Sequence, residues 1–228
     1  MALFWMIYLM GATVLMFSSM SKAHAISHEI TRPAARMMIV VVMLGMCVFW
    51  PMLRLSQRHP RSGHVWFVLR DALVLFVPMQ AVLWPQVSGV LAHWPVPVVG
   101  ALVLLCASWL LLLGGVLALA IASVSRIDAG AGPRAIWMSL LLLIVFAAPI
   151  GAIIGTVAIP APIDQPRIGW LLSPITGALE LLRDRDATGS PARVYPQQIR
   201  MLLAIGCVGL ALLLIARGLE VARARVRA

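Results

Sequence analysis

The sequence predicts an all-α integral membrane protein with about six transmembrane helices and a short interfacial or re-entrant helix before the last span. Three observations predict it. Hydrophobic residues make up 62% of the 228 positions and charged residues only 11%, far from the balance of a soluble domain. The apolar residues gather in six runs, about 2–20, 37–53, 68–91, 98–125, 135–159 and 200–217, on the scale of the roughly 20 residues that a bilayer core requires. No Asp, Glu, Lys or Arg occurs between Ala72 and Ser125. Residues 1–228 then form a single polytopic membrane domain, with no stretch left for a soluble catalytic domain.

The first run ends in Ser21-Lys22-Ala23-His24-Ala25, where Ala23-x-Ala25 looks like a signal-peptidase site. No positive charge precedes the apolar stretch, as a secretory signal requires, so a retained helix is expected. The second run is short and closes at Trp50-Pro51 and Arg54. The connector from Arg54 to Arg70 carries Arg54, Arg58, Arg61 and Arg70 with His59 and His64. It is the most basic internal loop and is expected in the cytoplasm. The third run is interrupted by Pro78 and Pro85, which membrane helices tolerate as kinks.

The fourth run, Val98 to Ser125, would be roughly 40 Å long as a helix. No Lys or Arg precedes it from Gln86 to Pro97, and Arg126 follows at once. The positive-inside tendency therefore puts its C-terminal end in the cytoplasm. The fifth run holds Pro149 and the spacing Gly151-x-x-x-Gly155, which lets a second helix approach closely. The segment 168–182, IGWLLSPITGALELL, is too short to cross and is broken at Pro174. It reads as a helix in the interface or dipping into the outer leaflet, with Trp170 at headgroup level. The sixth run is bracketed by Arg200 and Arg217, and a tail with Arg223, Arg225 and Arg227 follows. Six crossings with a basic tail put both termini in the cytoplasm, in the inner membrane of a bacterium.

The net charge of +10 is spread between apolar runs, so it reads as topology signal and lipid contact and not as a nucleic-acid footprint. Cys47, Cys106 and Cys207 stand singly in three runs and read as packing residues, with no metal-ligand spacing. His24, His28 and Glu29 have helical spacing that could form part of a metal site. No third strong ligand lies near them in sequence, and interfacial histidines without a metal are the expectation. The adjacent Arg70 and Asp71 at the mouth of the third span read in two ways. Either Arg70 snorkels while Asp71 marks the helix start, or the pair is a charged hinge linking a cytoplasmic partner to the span. No nucleophile–base pair, P-loop, haem-attachment or HExxH motif occurs, so neither enzymatic activity nor a cofactor is expected.

In layout the chain resembles the membrane subunits of type 2 ABC exporters, including the haem-exporter-like permeases. The loop from Arg54 to Arg70 lies where that family has its coupling helix. The stretch Trp170-Leu171-Leu172-Ser173-Pro174-Ile175-Thr176-Gly177-Ala178-Leu179 to Arg183 is similar to the family's loose pattern before the last span, Asn or Ser, then Pro, a hydrophobic residue and a later Arg. The likeness covers most of the chain in layout and about a dozen residues in pattern. It implies a permease without catalytic residues, driven by a separate ATPase subunit acting on Arg54, Arg58, Arg61, Arg70 and Asp71, with two copies forming the path. A different class stays open: a non-transporting assembly factor or structural subunit of a larger membrane complex.

Overall fold

The computed structural model describes residues 1–18, 28–57, 63–124, 131–158, 165–184 and 192–227. Among these residues every regular element is helical. Helix α1 spans Ala2–Ser18, α2 His28–Leu44, α3 Trp50–Ser56, α4 His64–Leu83, α5 Val96–Val124, α6 Ala131–Ala158, α7 Pro174–Leu181 and α8 Pro196–Arg227. Four helical runs are long and apolar enough to cross a membrane: Thr31–Ser56, His64–Val87, Val96–Val124 and Pro196–Arg223. Ala2–Ser18 and Ala131–Ala147 are shorter apolar stretches. The protein is an all-α membrane protein.

Several boundaries differ from the sequence expectation. The second run does not stop at Trp50-Pro51. A π turn, Gly45–Phe49, joins α2 to α3, and the run continues to Ser56. Pro51 lacks the N–H that would bond the carbonyl one turn earlier, and the wider turn accommodates that loss next to Pro51 at the start of α3. The third run also continues through Pro78, while Pro85 opens a 3-10 turn, Trp84–Val87. A proline is tolerated there because the first N–H groups of a helix have no intrahelical partner.

Helix α1 docks on these irregular places. The Trp5 indole donates to the Leu75 carbonyl at 2.9 Å, and the Tyr8 hydroxyl donates to the Val41 carbonyl at 2.6 Å. The Tyr8 ring lies over Gly45, in space that a Cβ there would occupy, and meets Phe49 edge-on at 5.9 Å.

Helix α5 is the axis of the bundle, with buried residues from Val98 to Val124 and its most extensive contact to α8. Two adjacent glycines make this possible. A Cβ on Gly114 would meet Val68 of α4 at 3.2 Å and the Trp50 indole at 3.7 Å. A Cβ on Gly115 would lie 2.6 Å from Cβ of Leu212 and 3.0 Å from the Gly209 carbonyl oxygen of α8. Each glycine admits a different neighbour, the small-residue packing on which membrane helices rely. Gly151 and Gly155 lie in α6, and their surroundings fall outside the described side-chain environment.

The segment before the last span packs into the bundle. It is a 3-10 turn, Ile168–Leu172, followed by α7, whose Thr176, Gly177, Ala178, Glu180 and Leu181 are buried. A Cβ on Gly177 would stand 3.1 Å from the Leu105 side chain of α5. The break at Ser173-Pro174 is a helix start: the Ser173 hydroxyl accepts from Ile175 N at 3.2 Å, and Pro174 takes the first helical position. The segment thus packs against α5 within the bundle. Trp170 is half-buried, with the Arg167 guanidinium 5.0 Å from its ring centre.

Candidate functional site

Charged side chains gather at the two ends of the bundle, and the long run from His28 to Ser56 carries arginines at both. At one end Arg54 pairs with Asp71. Nη2 of Arg54 donates to Oδ1 of Asp71, and Nε faces Oδ2. One charge-assisted hydrogen bond and a close approach of the second nitrogen thus tie the two charges together. Both side chains are mostly buried, at 13% and 7% exposure. The remaining Nη1 donates to Gln57 Oε1 at 2.8 Å, the guanidinium lies 4.7 Å from the Phe67 ring centre, and the Trp50 indole reaches Asp71 at 3.5 Å.

The backbone supports this arrangement. Gly63, at φ +75°, turns the chain into α4, a conformation open to glycine at no steric cost. Phe67 N then bonds the Gly63 carbonyl at 3.0 Å. Glu220 of α8 accepts from Val65 N at 3.2 Å and pairs with Arg217 at 3.0 Å. It thereby satisfies one of the orphan donors in the first turn of α4. His64 is buried beside this contact. The start of α4 is thus held from α3 by Arg54 and from α8 by Glu220.

At the other end, Arg32 and Arg36 share Asp184. Arg36 Nη2 bonds Asp184 Oδ2 and its Nε donates to the Leu182 carbonyl at 3.0 Å. Arg32 Nη1 lies 3.6 Å from Asp184 Oδ1, and its Nε donates to the Ala92 carbonyl at 3.0 Å. Thr31 donates to the Leu91 carbonyl at 2.9 Å. The first turns of α2 therefore hold both the connector after α4 and the segment after α7. Within that segment the fully buried Glu180 carboxylate accepts from Arg167 N at 2.9 Å and faces Arg183 Nε at 3.7 Å. Arg183 also donates to the Gln165 carbonyl at 2.8 Å, and Thr176 to the Trp170 carbonyl at 2.6 Å. The short helices enter and leave at this same end.

The sequence-predicted residues separate. Arg54 and Asp71 come together, whereas Arg70 is exposed, turned about 100° away around α4. Arg58, Arg61 and His24 lie outside the described residues, and so do the side chains of His28 and Glu29 at the start of α2. Among the described residues no group of three His, Cys, Asp or Glu could hold a metal ion. Cys47 and Cys106 are buried, with Cys106 Sγ 3.9 Å from Met43 Sδ, while Cys207 is exposed and does not pack inward. Sequence reading missed Arg32, Arg36, Glu180 and Asp184. The apolar setting of Glu180 in ALELL was the available signal, since a carboxylate there needs partners.

No protein-family model, curated protein or solved structure matches this chain.

Proposed function

We propose that the chain is the permease subunit of an ABC-type export system, driven by a separate ATPase in the cytoplasmic membrane of a bacterium. One observation carries this reading. The short helices from Ile168 to Leu181 fold into the bundle and return to the end they came from, directly before the last long helix. A broken helix at membrane depth is stable only where protein covers its backbone, and a protein that only fills a membrane has no use for one. Held at the Arg36–Asp184 contact, it forms a plug at one end. The Arg54–Asp71 contact lies at the other, beside the basic connector on which a partner would act. In this reading the chain crosses six times with both termini cytoplasmic, two copies form the path, and the chain has no catalytic residue of its own.

Orientation is tested by single-cysteine labelling in intact cells, on a background lacking the three native cysteines. Cysteines at Val90, which is 64% exposed, and at Ser190 should react with an impermeant reagent. Cysteines at Ser56 and Ala228 should not. The reverse pattern would invert the topology.

The driven-permease reading is tested by purifying the tagged protein in mild detergent with a photocrosslinker at Ser56, an exposed residue at the end of α3. A crosslinked ATP-binding-cassette subunit is expected, weakened when Arg58 and Arg61 become lysine, because lysine cannot reproduce the guanidinium fork. Copurification with a membrane complex that contains no such ATPase would favour the assembly-factor or structural-subunit reading instead.

A further inference from the structure

The exposed side of α4, continued by the first residue of the 3-10 turn after it, forms one narrow stripe. Trp66, Arg70, Leu73, Val77 and Trp84 are all exposed, with Trp66 at 71%, Leu73 at 58%, Val77 at 63% and Trp84 at 45%. Their spacings of four, three, four and seven residues keep them on one face of a helix. Tryptophans favour the two membrane–water interfaces. Trp66 and Trp84 are 18 positions apart, about 27 Å of helix, close to the roughly 30 Å of a hydrocarbon core. The spacing of the pair matches the thickness of a hydrocarbon core, as expected of a lipid-facing side.

On that scale Arg70 sits about 6 Å inside the boundary at Trp66. A guanidinium at this depth must reach a counter-charge or water. Asp71, its neighbour in sequence, is committed to Arg54. Among the described residues Arg70 has no ion pair. Side chains on an α-helix lean toward its N-terminus, which for Arg70 is the Trp66 end, so snorkelling in that direction would bring the guanidinium to the headgroups beside that indole.

We propose that Trp66 and Arg70 form a binding site for the headgroup of an anionic phospholipid in the leaflet at the Arg54 end of the bundle. Arg70 holds the phosphate, Trp66 packs beside the glycerol region, and Leu73 and Val77 carry the acyl chain. The site stands on the membrane fold alone and does not depend on the transport reading. Its consequence is local. The lipid lies on the exposed face of α4, one residue away from the buried Arg54–Asp71 contact, so lipid occupancy is placed to influence how firmly the start of α4 is held.

The test is lipid retention by native mass spectrometry on the full-length protein in detergent, with phosphatidylglycerol or phosphatidylcholine added. The unmodified protein should retain phosphatidylglycerol preferentially, and excess inorganic phosphate should not displace it. Arg70→Gln should weaken phosphatidylglycerol binding about fivefold, Trp66→Ala should weaken it as well, and phosphatidylcholine retention should barely change. Arg225→Gln, in the exposed tail, removes the same charge and should have little effect. Equal retention of the two lipids by the unmodified protein would overturn the site, and that result requires no variant to fold. Unchanged binding in Arg70→Gln, equal losses at Arg70 and Arg225, or displacement by phosphate would overturn it too.

Discussion

Replacing Asp71 with alanine is expected to cost about 3–5 kcal/mol of stability, a large part of the 5–15 kcal/mol typical of a folded domain. The cost comes from what is left behind. Arg54, with a side chain only 13% exposed, would lose both carboxylate oxygens and remain charged among Trp50, Phe67 and the apolar body of the bundle. Moving a guanidinium out of water costs several kcal/mol unless a partner compensates for it. The paired change Arg54→Met with Asp71→Leu removes both charges and should recover most of the loss, because well-packed apolar residues often replace a buried ion pair without penalty. Unfolding in mixed micelles checks both expectations. A double variant as unstable as Asp71→Ala would mean that the pair contributes geometry that apolar packing cannot supply.

Gly209→Leu should be comparably severe. A Cβ at this position would stand 2.5 Å from the Leu111 carbonyl carbon and closer still to Leu112 N, so it meets backbone and not a flexible side-chain tip. Overpacking of this kind costs about 1–3 kcal/mol or more, and here it would have to separate α5 from α8. Gly115→Leu meets the same interface from the other helix. Because a Cβ on Gly115 would stand 3.0 Å from the Gly209 carbonyl oxygen, the two sites share one interface and the changes should cost less together than their sum. Gly218→Ala is the control: nothing lies within 4 Å of its Cβ position, and alanine there should be neutral or slightly stabilising. Thermal unfolding of the three single variants and the double variant measures the set. Equal tolerance at Gly209 and Gly218 would show that α5 and α8 can part without loss.

The fold class was legible because long apolar runs leave few alternatives in a chain with 11% charged residues. The polar contacts were legible only where their partners were also neighbours in sequence. Arg70 and Asp71 adjoin, and adjacency suggested a unit, but successive residues on a helix point about 100° apart. That rotation sends Asp71 inward to Arg54 and Arg70 outward. Arg36 and Asp184 are 148 positions apart, and no periodic pattern connects them. The glycines teach a related lesson. Gly151-x-x-x-Gly155 has a spacing known for close helix approach, whereas the described crossing uses Gly115 with Gly209, a pair split between two helices. Small residues are common in every membrane helix, so the pairing became visible only in three dimensions. The segment before the last span was half legible: Ser173-Pro174 announced a helix start, while its packing depends on Gly177 against Leu105.

The π turn at Gly45–Phe49 has a consequence for angular phase. An α-helix advances about 100° per residue, and a single-turn bulge takes up one extra residue without breaking the run. The side chains beyond it are thereby set about 100° away from where an unbroken α-helix would aim them. Arg32 and Arg36 lie before the turn and Arg54 after it. The bearing of Arg54 toward Asp71, relative to that of Arg36 toward Asp184, is therefore fixed by this one turn. Tyr8 of α1, seated on Gly45, closes around it like a collar on a shaft coupling, and sets the angle between the two ends of a single rod.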